Sequence, residues 1–184
     1  MNGLVSAKKD SNSEEHGTNV GRFLAKRGLL LMKESRDVAA VRCDYGNKLI
    51  VSTLILSTAK STRGNTSYGI RFGHTDEEGI ERESAFLDFD EIEELIGAFE
   101  FVDNLARQML NEQRDYTEVT YSTKDNIKFG FYQSEGQQQA FIDVGGYGNS
   151  VFLDVDKLQS LKRTIQTATQ HLVSKGAGAE NIEL

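Results

Sequence analysis

The sequence predicts an α+β domain: an internally duplicated unit of about four antiparallel strands followed by one helix, with two copies packed around a shared core. One observation is a stretch written twice, Ala85-Phe86-Leu87-Asp88-Phe89-Asp90 and Val151-Phe152-Leu153-Asp154-Val155-Asp156, each reading as a strand that runs straight into a helix. The apolar pattern beyond is copied as well, since Ile92, Leu95 and Phe99 return as Leu158, Leu161 and Ile165. A further observation is the punctuation between short apolar runs, where Gly, Asn and Asp supply every turn because the 184 residues contain no proline. The spacing also predicts four segments: a disordered lead-in over 1–22, a first repeat over 23–111, a second over 112–174 and a flexible tail over 175–184.

Taken in order, residues 1–22 are polar, with Lys8 to Glu15 offering almost nothing to bury. Leu29 to Met32 is a short apolar run that reads as a strand, and Val38 to Cys43 reads as the next. Leu49 to Leu56 is rich in β-branched residues and is the clearest strand. Lys60 to Ser67 reads as a loop, Tyr68 to Phe72 as a strand, and Ile80 to Phe89 as the strand entering the first helix. That helix, about 91–110, lines Ile92, Leu95, Ile96, Phe99, Val102, Ala106 and Met109 along one face. The second half repeats the plan with strands at Thr117 to Ser122, Ile127 to Gln133, Ala140 to Val144 and Val151 to Val155, then a helix over about 157–173. Asp90 with Glu93, and Asp156 with Gln159, have the spacing of a helix-starting capping box, which leaves Asp88 and Asp154 to solvate strand ends. A second register is also open, because Ala85-Phe86-Leu87-Asp88 resembles Ala140-Phe141-Ile142-Asp143 and Ile70-Arg71-Phe72-Gly73 resembles Ile127-Lys128-Phe129-Gly130.

Composition narrows the function classes. A net charge of −7 and a pI near 5.1 oppose a phosphate backbone, whose binding rests on Lys and Arg displacing counterions. Cys43 is the single cysteine, so an intrachain disulfide and a cysteine-built zinc site are both excluded. No run of about eighteen apolar residues is present, nor the profile of an uncleaved secretory signal. A cytoplasmic location is the default, and an extracytoplasmic one follows if a signal has been removed.

Candidate chemistry is sparse. Asp88 and Asp154 are a carboxylate pair supplied by duplicated strands, of the kind that divides acid and base roles when environments separate their pKa values. The strand-end and capping uses of such aspartates outweigh that reading. His16, His74 and His171 fall in a tail, a turn and a helix without ligand spacing, so no metal, cofactor or catalytic set is assigned. The glycines at Gly145-Gly146-Tyr147-Gly148 lead into a strand rather than a helix, which removes the amide cradle a phosphate needs. The most suggestive surface combines Lys128 and Tyr132 with Tyr68 and Arg71, aromatic and basic residues interleaved on strands as in sheets that stack bases. Plain alternation offers another account, with Phe129 and Phe131 inward and Lys128 and Tyr132 outward.

The doubled plan of four strands and a helix, over about 38–173, is similar to the Whirly single-stranded-DNA-binding proteins. The similarity is one of topology, without that family's lysine-rich motif, and it assigns no site residue. It implies single-stranded nucleic-acid binding as an alternative. The expected function is a non-catalytic binding or structural domain meeting a protein partner or a second subunit, and an enzyme using carboxylates ranks lowest.

Overall fold

The computed structural model describes residues 17–59, 66–146 and 150–179. Most of the expected lead-in, the expected loop from Lys60 through Asn65, Tyr147 with Gly148, and the last five residues of the tail lie outside them. Helix α1 is Asn19–Leu24, followed by strands β1 Leu31–Arg42, β2 Lys48–Thr58, β3 Thr66–Thr75 and β4 Glu81–Asp88. A 3-10 turn, Phe89–Glu91, leads into helix α2, Ile92–Met109. Strands β5 Tyr116–Ser122, β6 Lys128–Ser134, β7 Gln137–Asp143 and β8 Ser150–Leu153 then precede helix α3, Val155–Ser174. Each set of four strands forms an antiparallel meander, β1-β2-β3-β4 in the first sheet and β5-β6-β7-β8 in the second. The duplicated α+β unit is therefore present as expected.

The two units exchange helices. Helix α2, which closes the first, packs against β5 and β6, while α3, which closes the second, packs against β1, β2 and β3 as well as β7. One core results. It draws Leu49, Val51, Ile70, Phe72 and Leu87 from the first sheet, Phe129, Phe131, Ala140, Ile142 and Leu153 from the second, and the apolar faces of both helices. Phe99 of α2 stacks on Phe129 of β6 with ring centroids 3.9 Å apart. Copied positions share a fate: Ile92 and Leu158, Leu95 and Leu161, Phe99 and Ile165 are all buried, and so are Val102 and Ala168, Ala106 and Leu172. The strand-to-helix alignment is thus the structural one. It places β3 opposite β7 in the repeat, so the likeness of the Ile70 and Ile127 segments relates non-equivalent strands, β3 and β6.

Four expectations change. The Leu29–Met32 run and the Val38–Cys43 run merge into β1, a single strand of 12 residues whose pairing with β2 carries a bulge between Asp37 and Ala39. The charged, exposed stretch Lys33–Asp37 separates the two apolar runs, which is why the sequence reads as two strands, and the bulge adds one residue beyond it. The lead-in expected through residue 22 ends earlier, because Thr18 caps α1 through its side chain, and Val20 and Phe23 are buried against Leu54 and Leu56. The tail expected from 175 also folds at its start, with Ala177 in the main core. Finally, Asp88 and Asp154, rather than Asp90 and Asp156, occupy the N-cap positions.

The last correction has a physical reason. Asp88 leaves β4 in extended conformation and the chain turns helical at once through the 3-10 turn, so the reciprocal box forms between Asp88 and Glu91. Glu91 Oε2 accepts from the Asp88 amide at 3.1 Å. Asp90 is left outside, 66% exposed and 3.6 Å from the Lys124 ammonium. Replacing Asp88 with Ala is expected to cost about 3 kcal/mol, because it strands several buried amides, whereas Asp90→Ala should stay within about 0.5 kcal/mol. Denaturant midpoints decide it, and equal midpoints for the two variants would overturn this assignment. Phe23→Ala should likewise lose about 3 kcal/mol if α1 is part of the fold, an effect that a dispensable lead-in would not show.

Candidate functional site: the outer face of the second sheet

The two sheets differ in what covers them. In the first, α1 lies across β2, β3 and β4 on the face away from the main core. Val20 approaches so closely that a Cβ at Gly69 would sit 2.6 Å from both its side chain and the Leu87 carbonyl. In the second, the register places Val119, Tyr121, Phe129, Phe131, Ala140 and Ile142 toward the helices. Alternation then sends Tyr116, Glu118, Lys128, Tyr132, Gln139 and Phe152 to the outer face.

That face is aromatic and hydrogen-bonded. Tyr116 stacks on Tyr132 with centroids 6.3 Å apart, and the edge of Tyr132 meets Phe152 at 6.4 Å. Tyr116 is exposed, and its hydroxyl donates to Glu118 Oε2 at 2.6 Å, while Thr120 Oγ1 donates to Glu118 Oε1 at 2.9 Å. These two donors hold the Glu118 carboxyl below its usual range, and the same bond pushes the Tyr116 phenol up. Lys128 stands opposite Asp143 in the ladder, so the positive charge on this face is balanced locally. A shallow cleft of about 320 Å³ opens beside Tyr132, between Ser134, Glu135 and the glutamines Gln137 to Gln139. Close strand approach underlies the face, because a Cβ at Gly130 would collide with the Val119 carbonyl.

Of the four candidate residues, Lys128 and Tyr132 share this surface. Tyr68 and Arg71 belong to β3 in the other sheet and, three residues apart, point to opposite faces of it. Tyr68 lies against the core, its hydroxyl donating to the Lys175 carbonyl at 3.3 Å, and Arg71 forms an ion pair with Glu81. The four therefore do not form one platform. Tyr116, Glu118 and Phe152 were not singled out in the sequence, although the alternation of Tyr116, Glu118 and Thr120 with Thr117, Val119 and Tyr121 was the signal.

The carboxylates serve the fold. Asp88 is buried and accepts from the amides of Asn19 at 2.6 Å and Val20 at 2.9 Å, in addition to the capping box. Glu91 Oε1 accepts from the Lys124 amide at 3.1 Å. Asp88, Asp90 and Glu91 lie close enough together to suggest a cation site, but both Asp88 and Glu91 spend their oxygens on backbone donors. Asp154, the copy of Asp88, is 77% exposed beside Lys157, so the pair sits in unlike environments in different sheets. His74 is buried with Nε2 3.4 Å from Asn47 Oδ1, and His171 Nδ1 lies 3.0 Å from Thr53 Oγ1 in a cleft between β1 and the end of α3. Burial pushes the Cys43 thiol up, which disfavours the thiolate. No helix among the described residues is long and apolar enough to cross a membrane.

No protein-family model matches the chain, and no curated protein sequence matches it.

Behind the face, burial and the neighbouring Glu94 carboxylate push Tyr121 up to about 12. Its neutral form is favoured in the folded state, so its contribution to stability is complete below the ordinary tyrosine value of about 10 and is lost as pH rises toward about 12. An absorbance titration at alkaline pH should show a last phenol step that disappears in Tyr121→Phe. Loss of that step at the ordinary tyrosine value would contradict the packing described.

Proposed function

We propose that this chain is a non-catalytic binding domain whose recognition surface is the outer face of the second sheet, and that its occupant is a protein segment carrying basic and apolar side chains. The observation that carries the reading is the contrast between the sheets: α1 covers the outer face of one, while the Tyr116–Tyr132–Phe152 cluster lies on the outer face of the other. Tyrosines give large rigid contact area and keep a polar tip for hydrogen bonding, a composition enriched at interfaces. Glu118, held in its charged form, and Glu135 at the rim of the cleft favour a cationic side chain, which the ring faces of Tyr116 and Tyr132 also attract. The overall charge of −7 points the same way.

A second reading has an observation of its own. The stacked Tyr116 and Tyr132 with Lys128 nearby are what a single-stranded nucleic acid uses on a sheet, and the topology is similar to that of the Whirly proteins. Charge favours the first reading, because Asp143 stands opposite that lysine and Glu118 on the same face is held in its charged form.

The two readings separate in solution. Panning a displayed random-peptide library is expected to enrich basic and aromatic sequences whose binding falls about tenfold or more with Tyr132→Ser, the scale of a lost aromatic anchor. Enrichment indifferent to Tyr132 would overturn the proposal. Titration of a labelled single-stranded oligonucleotide at two salt concentrations should show weak binding. Submicromolar, steeply salt-dependent affinity lost in Lys128→Ala would establish the second reading instead.

A further inference from the structure

We propose that β1 is a self-pairing edge: two copies of the chain join their first sheets antiparallel across a two-fold axis at Ser35, giving one continuous eight-stranded sheet. This surface is separate from the outer face of the second sheet, and the proposal stands whether or not that face binds a protein.

The strand order leaves β1 at the border of the first sheet, paired with β2 alone. Its 12 residues make it the longest strand, and Lys33, Glu34, Ser35, Arg36 and Asp37 are all exposed. Leu30 and Met32 at its start are exposed by 75% and 53%, an unusual cost for large apolar side chains beside an open ladder. The other border, β4, is differently treated, since Asp125 of the β5–β6 turn accepts from the Phe86 amide at 2.8 Å.

The sequence of β1 contains a charge palindrome. Around Ser35, an antiparallel pairing sets Glu34 opposite Arg36 and Lys33 opposite Asp37, and two-fold symmetry repeats each pair, so four ion pairs form along five residues. Both members of each pair lie on the same face, because Lys33, Ser35 and Asp37 alternate with Glu34 and Arg36. Beyond these pairs the exposed Met32 of one copy approaches the bulge of the other, where Val38 is half-buried and the regular register ends. Shifting the axis by one residue along the strand shows how strongly this register is selected. Centred on Glu34 it opposes Glu34 to itself, and centred on Arg36 it opposes Arg36 to itself. Among the described residues Glu34 forms a long ion pair with Lys175, at 3.8 Å, and its side chain is 65% exposed. Strand β5, at the border of the second sheet, carries Glu118 as its only charge and has no such complementarity.

The test is a charge exchange read by analytical ultracentrifugation of the full chain over a range of concentrations. The unmodified protein should sediment as a dimer that dissociates on dilution. Glu34→Arg alone, which opposes Arg to Arg36 twice, and Arg36→Glu alone, which opposes Glu to Glu34 twice, should each weaken dimerisation about tenfold or more. The combined Glu34→Arg, Arg36→Glu variant restores opposite charges and should return to within about threefold of the original. A Ser35→Cys variant should cross-link on mild oxidation, the two sulfurs meeting at the axis, while thermal melts confirm that these exposed substitutions leave the fold intact. A protein monomeric at every concentration, single variants without effect, or a combined variant as weak as the single ones would each overturn the proposal.

Discussion

The buried carboxylate of Asp88 is the constraint on which the rest of the arrangement depends. It receives the first amides of α1 and the Glu91 amide in the turn leading to α2, and its capping partner Glu91 receives the Lys124 amide from the turn between β5 and β6. Two adjacent carboxylates thereby join a helix on the outside of the first sheet, the corner where β4 becomes helical, and a hairpin of the second sheet. Carboxyl groups at 2% and 7% exposure are tolerable because each oxygen faces backbone donors rather than apolar surface. The exchange of helices makes that corner decisive, since α2 must leave the first sheet in the direction that carries it onto the second.

The doubled unit accounts for the plan, and its two copies differ at the corner where strand becomes helix. At the equivalent corner of the second unit, Asp154 has an extended backbone at the N-cap but no side-chain capping bond, and it remains in solvent next to Lys157. Helix α1 packs on the first sheet, against β2, β3 and β4. One sheet therefore has its outer face closed by Val20 and Phe23, while the outer face of the other carries the cluster of Tyr116, Tyr132 and Phe152. What covers each outer face distinguishes the two halves.

Much of the fold was legible because it rests on periodicity. The apolar positions of α2 and α3 are those expected from spacing, and every copied pair from Ile92 and Leu158 onward is buried. What escaped was local and low in signal. Helix α1 has six residues and only Val20, Phe23 and Leu24 to mark it, too short for a helical period to stand out. The cap moved by two residues because a 3-10 turn, invisible to a rule written for α-helices, begins directly at the strand end. Buried Gln133, whose amide donates to the Glu112 carbonyl at 2.7 Å and whose oxygen accepts from Gln138, could not be told from a surface glutamine. The candidate face was half visible: Lys128 and Tyr132 were found, but Tyr68 and Arg71 were joined to them by treating β3 and β6 as equivalent strands.

Edges and faces in a meander answer to different physics, and this separates the two surfaces of the protein. A face such as the one where Tyr116 stacks on Tyr132 offers side chains, and contacts to it are set by ring area and the few charges nearby. An edge is read through the backbone, where every register offers similar hydrogen bonds and only side-chain pairing tells one from another. Selection at an edge must therefore be written in charge order. The sequence Lys33-Glu34-Ser35-Arg36-Asp37 has that order about its own centre, while the bulge between Asp37 and Ala39 shifts the register just beyond it. A strand protected only against aggregation would gain as much from charges of one sign, which repel any second copy. Alternating signs placed as mirror opposites do the reverse, admitting one partner in one register and opposing like charges in the neighbouring ones.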